Sequence, residues 1–155
     1  MPMAEPYLTR RFANWAATLP VQNIPKRVRH AARCAIFDTL GVMAAGSTHP
    51  KVAALAESFA ASCGDSITAM GQRLEATAAA TVNGMAAHVW DFDDNSYTGM
   101  IHGSAIILPA VLAVADEVGA SDDDRLVAFA IGSEITYTLG EIVSHGHFLR
   151  GWWAT

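Results

Sequence analysis

The sequence predicts an all-α fold of about six helices, and three observations carry that reading. Apolar residues recur at three- and four-residue steps, which places them along one face of a helix. No segment alternates polar and apolar over the length of a strand. Proline and glycine fall at the ends of the periodic segments, in the Pro-first, Gly-last order that helices favour.

A short helix is expected from about Thr9 to Leu19, ended by Pro20. The next starts at Pro25 and stops at Gly46, with Val28, Ala32, Ile36, Leu40 and Met43 on one stripe. His49-Pro50 punctuates the chain, and Val52, Leu55, Ala56, Phe59 and Cys63 form a third stripe, stopped by Gly64. Residues 65–72 read as a loop with at most a short strand. Leu74 to Trp90 is rich in alanine, a strong helix former. Asn83-Gly84 within it is a hairpin signal in other settings. Its flanks do not alternate, so Gly84 is expected to be a close-packing point inside a helix. The polar segment 91–104 (DFDDNSYTGMIHGS) follows as a loop. A helix over Ile106–Val118 comes next, with Pro109 marking a start near Leu108 or a kink, and Gly119 ends it. Ser121 reads as an N-cap with Asp122, Asp123 and Asp124 in the first turn, where the helix dipole favours acids. A long helix then reaches about Ser144, and Gly146 and Gly151 mark the last loop.

A chain of 155 residues buries a core without disulfide or metal staples. Residues 149–155 carry neither a helix stop nor a polar tail, so one helical domain over 1–155 is expected, incomplete and truncated near its C-terminal end. Hydrophobic residues make up 52% and charged residues 16%, against about 25% charged in a typical soluble domain. Some apolar surface is therefore expected to lie under a second subunit or a further domain. Ten Lys+Arg against fifteen Asp+Glu argues against nucleic acid and against an anionic membrane surface. The longest apolar run, Ala105 to Ala115, is 11 residues and contains Pro109, where a membrane span needs roughly 20, so no membrane partner is expected. The N-terminus lacks a secretory pattern, and Cys34 and Cys63 form neither a disulfide framework nor a CxxC pair. A reducing cytoplasm is the expected location.

Chemistry concentrates at Asp91-Phe92-Asp93-Asp94, directly after an apolar helix. His88 stands three residues before Asp91 and His102 eleven after it, with Asn95, Ser96, Tyr97 and Thr98 between. Three readings are open. The segment is a solvated acidic loop, a Mg²⁺ site for a diphosphate, or a proton-transfer site using Asp91 and His102. Histidine suits the third because its ordinary pKa, about 6.5, lies near neutral pH. Helix capping explains Asp122–Asp124 without further function, and Glu134 falls among apolar residues as an interior carboxylate. His145 and His147 flank Gly146 with no third metal ligand nearby. No GxGxxG, P-loop or GxSxG is present, so dinucleotide, ATP and serine-hydrolase chemistry have no support.

The segments AARCAIFDTLGVMAAG (31–46), Asn83-Gly84, AHVWDFDD (87–94), HGSA (102–105), Leu108-Pro109-Ala110, Ala128 to Ile135 and GWWAT (151–155) keep the order of the blocks of a known family. They resemble the MmgE/PrpD family of 2-methylcitrate dehydratase, cis-aconitate decarboxylase and iminodisuccinate epimerase-like proteins. The resemblance implies a large all-α domain with a smaller α+β lid, the lid being absent from this chain. It implies homodimers and a lyase or isomerase that moves a proton beside a carboxylate of a small di- or tricarboxylic acid. No metal and no organic cofactor is implied. Asp91 matches the first acid of the family's D-F-D-D and His102 the His of its H-P/G-S block, so both are expected to be catalytic. Asn95 stands where decarboxylase-like members place Thr, and Asn95 and His88 are expected to bind substrate. The wording of the 97–104 segment leans towards the epimerase-like branch. Trp153 occupies the position of a family His, and the family's later basic residue has no counterpart here. A catalytically inactive helical dimerisation module, left from such an enzyme, is the alternative.

Overall fold

The structure, a computed structural model, describes residues 7–152. The all-α expectation holds. The described residues form α1 (Leu8–Thr18), a 3₁₀ turn (Val21–Asn23), α2 (Lys26–Gly46), α3 (Pro50–Ser58), β1 (Ser66–Ile67), β2 (Arg73–Leu74), α4 (Ala76–His88), α5 (Ser104–Val118) and α6 (Asp122–Phe148).

Several boundaries differ from expectation, each for a local reason. α3 ends at Ser58 rather than near Cys63, because the Phe59 amide turns to the Ala56 carbonyl and the Ser58 hydroxyl to that of Leu55. Residues 65–72 contribute to an antiparallel hairpin with Ser66 opposite Leu74 and Ile67 opposite Arg73. Leu74 therefore belongs to a strand, and α4 begins at Ala76. α5 begins at Ser104, so Pro109 lies inside it and leaves the Ala105 carbonyl without its helical donor. α6 runs through Gly146 to Phe148. Ser121 caps it as expected: its hydroxyl accepts from the Asp124 amide, and the Asp124 carboxylate accepts in return from the Ser121 amide. Glu134 is exposed rather than interior. The family-matching block at 151–155 is described only through Trp152, so Trp153 lies outside the described residues.

α5 is the central element. Ala105, Ile107 and Leu108 join Ala32 and Met43 of α2 and Leu126 and Phe129 of α6 in one apolar cluster. Ala113 joins Val52 and Ala56 of α3 and Ala78, Ala79, Val82 and Ala86 of α4 in another. The alanines of α4 let it lie close to both α2 and α5. The tightest approach is at Gly46, where a β-carbon would collide with the Ala86 carbonyl oxygen. At Gly84, the expected packing point, a β-carbon would sit 3.4 Å from the Ala105 carbonyl oxygen, an ordinary contact. Buried Asn83 fastens the hairpin to α4: its carbonyl accepts from the Ala69 amide at 2.7 Å and its amide donates to the Ile67 carbonyl at 3.0 Å.

The expected stripe on α2 is split. Of its residues Ala32 and Met43 are buried, whereas Val28 and Leu40 are exposed. One stretch of α6, Asp122–Val143, is long and apolar enough by length and composition to cross a membrane, which counting apolar runs had passed over. It opens on three aspartates, and Leu126, Phe129 and Ile131 within it are buried in this domain.

Candidate active site

α4 delivers His88 at its last turn, and the chain then reverses. The Asp91 amide donates to the His88 carbonyl at 2.9 Å, and Asp91 takes a left-handed backbone with φ 54°. Beyond Asp94 a narrow hairpin forms. Ser96 and Ile101 pair as an isolated bridge, the Ser96 hydroxyl accepts from the Gly99 amide, and Thr98 donates to Glu141 of α6 at 3.0 Å. Ile101 is buried against Gly140 of α6. This anchoring returns the chain so that His102 comes down beside His88.

The result is a carboxylate shared by two imidazoles. The Asp93 side chain is 0% exposed. Its Oδ1 lies 2.9 Å from His88 Nδ1, and its Oδ2 lies 3.1 Å from His102 Nδ1. The two rings meet edge to face with centroids 4.7 Å apart. A carboxylate only accepts, so the His88 Nδ1 bonded to it carries the hydrogen in the neutral ring, while His102 Nδ1 lies within ion-pair distance of Oδ2. Asp91 is the outer acid: its side chain is 78% exposed, and its Oδ1 lies 3.8 Å from His102 Nε2.

Asp94 serves α5. It accepts from the Ser104 amide at 3.0 Å and from the Ser104 hydroxyl, placing an acid at the positive end of that helix. Tyr137 of α6 reaches the same corner and lies so close to Gly103 that a β-carbon there would collide with its ring and hydroxyl. Burial raises the Tyr137 pKa above the usual tyrosine value, and the charge of Asp94 adds to that. Hydrogen bonds with the Ser104 side chain and the Gly103 backbone pull the other way. The phenol is thus a neutral donor at ordinary pH.

Two cavities flank the segment. One of about 470 Å³ between α4 and α5 is lined by Met85, Ala105 and Ile106, with His88 and His102 among its walls. The other, about 440 Å³, lies between α2 and α6 and carries Asp94, Ser104, Tyr137, Glu134 and Glu141. Among the described residues, no Lys or Arg forms an ion pair with Asp91, Asp93 or Asp94.

Of the residues singled out in the sequence, His88, Asp91 and His102 are brought together. Asn95 is exposed and makes no hydrogen bond among the described residues. Asp93 and Tyr137 were not singled out. A spacing argument has no period to use in an irregular loop, and Tyr137 comes from a helix about forty residues on. A tyrosine facing the core side of α6 was the one available signal.

Comparison with known proteins follows the same stretch of chain. The MmgE/PrpD N-terminal domain matches residues 10–155. The cis-aconitate decarboxylase of Homo sapiens is 35% identical over 137 residues, covering 83% of this chain and 28% of that protein. The cis-aconitate decarboxylase of Aspergillus terreus is 25% identical over 154 residues, covering 94% of this chain and 31% of that protein. The Mus musculus cis-aconitate decarboxylase is 31% identical over 138 residues, covering 83% and 28%. The chain thus spans about three-tenths of the length of these relatives.

Proposed function

The chain belongs to the MmgE/PrpD family, and from that premise we propose that it carries the imidazole-and-carboxylate half of a lyase site acting on a small di- or tricarboxylic acid. One observation supports this most: Asp93, fully buried, faces Nδ1 of both His88 and His102. A base oriented by a buried acid is the arrangement general acid–base catalysis needs. His102 Nε2 is the proton-transfer atom. It takes a proton from, or returns one to, the carbon beside the substrate carboxylate. Asp93 is the positioning residue. Asp91, exposed next to His102 Nε2, meets a substrate hydroxyl or the transferred proton. His88 and Asn95 contact substrate. The relatives favour a lyase over an isomerase, since those named are decarboxylases.

The site as described is anionic. Substrate carboxylates need cationic partners to offset their desolvation, and these must come from outside this cluster. We therefore propose that the isolated chain turns over nothing and that it works as part of a larger assembly, with a homodimer as its core. Exposed, free Cys34 and Cys63 suit a reducing cytoplasm. The want of a cation also favours the second reading, a helical dimerisation module without turnover.

A chimera separates the two readings. Residues 10–155 replace the matching segment of the human decarboxylase, and cis-aconitate decarboxylation is measured. Turnover is expected, with His102→Asn slower by roughly 10²-fold or more and Asp122→Asn unchanged. A folded chimera without turnover supports the dimerisation module. If His102→Asn keeps more than about a tenth of the rate, His102 is not the proton-transfer residue.

A further inference from the structure

We propose that Tyr137 of α6 is a positioning residue for His102, acting through Gly103, Ser104 and Asp94 and not on the imidazole itself. His102 sits between two residues that are each seated on α6. On one side, Ile101 is buried and packs over Gly140, where a β-carbon would collide with the end of its side chain. On the other, Gly103 lies against Tyr137, where a β-carbon would collide with the phenol ring and hydroxyl. Tyr137 and Gly140 are three residues apart, so one face of α6 carries both seats. Glu141, beside Gly140, accepts from Thr98 at 3.0 Å and ties down the start of the same turn.

The two seats are held by different forces. Ile101 is held by packing and by its backbone pairing with Ser96. Gly103 is held by a polar chain. Hydrogen bonds link the Tyr137 hydroxyl to the Gly103 backbone and to the Ser104 side chain. The Ser104 hydroxyl and amide both donate to Asp94, the amide at 3.0 Å. Ser104 is buried, so a link broken here leaves polar groups with no water to replace the lost partner. Burial and the charge of Asp94 both disfavour the phenolate, so the phenol keeps its hydrogen at ordinary pH. The chain fixes where the backbone leaves His102, while Asp93 fixes what the ring meets. Such placement matters, since a catalytic group displaced by about 1 Å loses up to about 10²-fold in rate.

The effect on rate rests on the proton-transfer reading of His102. The placement does not, and it is read without turnover. Carbon–proton correlation of the histidine rings is recorded on the intact 155-residue chain, with His102 assigned by His102→Asn. Tyr137→Phe keeps the ring against Gly103 and removes only the hydroxyl. It should shift the His102 ring signal, and Ser104→Ala should shift it too. The double variant should move it no further than the larger single change, as links of one chain require. Ser133→Ala is the control: Ser133 lines the same cavity as Tyr137 but donates to the Phe129 carbonyl of its own helix, and its loss should leave the His102 signal in place. Circular dichroism checks each fold, and Asp94→Asn, which leaves Ser104 fewer acceptors, replaces Ser104→Ala if the latter unfolds. In the chimera with the human decarboxylase, Tyr137→Phe should lower kcat by about ten- to 10²-fold with KM little changed, measured below the unfolding transition. A His102 signal indifferent to Tyr137→Phe overturns the proposal, as does a shift from Ser133→Ala of equal size or a double variant whose changes add. A chimera slowed by His102→Asn but not by Tyr137→Phe also overturns it, and leaves the proton-transfer reading standing. If His102→Asn leaves the chimera's rate intact, that reading fails and the ring signal alone decides whether Tyr137 places His102.

Discussion

Asp94 gives its acceptors to the amide and hydroxyl of Ser104, while Asp93, one residue earlier, bonds to His88 Nδ1 and lies 3.1 Å from His102 Nδ1. Asp91 faces solvent. Three acids within one D-F-D-D segment thus have three environments, and their residue types alone did not separate them. The reversal at Asp91 moves the first acid outward and sets the third residue of the motif under both rings. That reversal depends on the His88 carbonyl and on contacts with α6, neither of which a local spacing encodes. What was legible was the concentration of acids and histidines, and the identities of His88, Asp91 and His102. At the same scale, the acid that was read correctly as a cap yields a pH prediction. The Asp124 carboxyl is held below the usual carboxylate range, first by the Ser121 hydroxyl and then by the Ser121 amide. A depressed folded-state pKa stabilises the chain above the unfolded value, about 3.9, and the contribution is lost as pH falls through the folded value. Thermal unfolding of the parent and of Asp124→Asn should therefore differ at pH 6 and converge as pH falls below about 4. A difference independent of pH would contradict the cap.

Helix order and number were legible because capping and stop residues sit within a turn of the ends they mark. The start of α5 was missed for a complementary reason. Its N-cap, Gly103, has no side chain to signal with, and the acid that serves its first turn, Asp94, lies in another segment. Gly103 in turn is needed where the ring of Tyr137 rests on it. Close packing was predicted at one glycine and found at another. Gly46 meets the Ala86 carbonyl oxygen, a backbone atom that cannot step aside without moving α4. Gly46→Ala should cost about 1–3 kcal/mol, the range for overpacking a core. Gly84→Ala makes only an ordinary contact with the Ala105 carbonyl and gains helix propensity, so it should be neutral or stabilise by up to about 1 kcal/mol. Urea unfolding of the two variants checks the contrast, and equal destabilisation would remove the account of α2–α4 packing.

Across the whole molecule, composition foretold unsatisfied apolar surface, and the structure locates it. Phe37 on α2, Val114 and Val118 on α5 and Ile142 on α6 are exposed, on a chain that is 52% hydrophobic and 16% charged. Burial of such surface is worth roughly 25 cal/mol per Å², enough to favour association once a few hundred Å² are covered. Sedimentation at micromolar concentration should show self-association, and a monomer that binds no hydrophobic dye would contradict it. The measurement that reaches the central claim most directly is long-range ¹H–¹⁵N correlation of the imidazoles in this same intact chain. The account holds that the fold sets Asp93 against Nδ1 of His88 and His102, so that each neutral ring presents Nε2. Both rings should show the Nδ1–H tautomer, and Asp93→Asn should return His102 to the Nε2–H form common in free histidine while Asp91→Asn leaves it unchanged. A His102 that carries its hydrogen on Nε2 in the parent chain, or a spectrum indifferent to Asp93→Asn, would contradict the account.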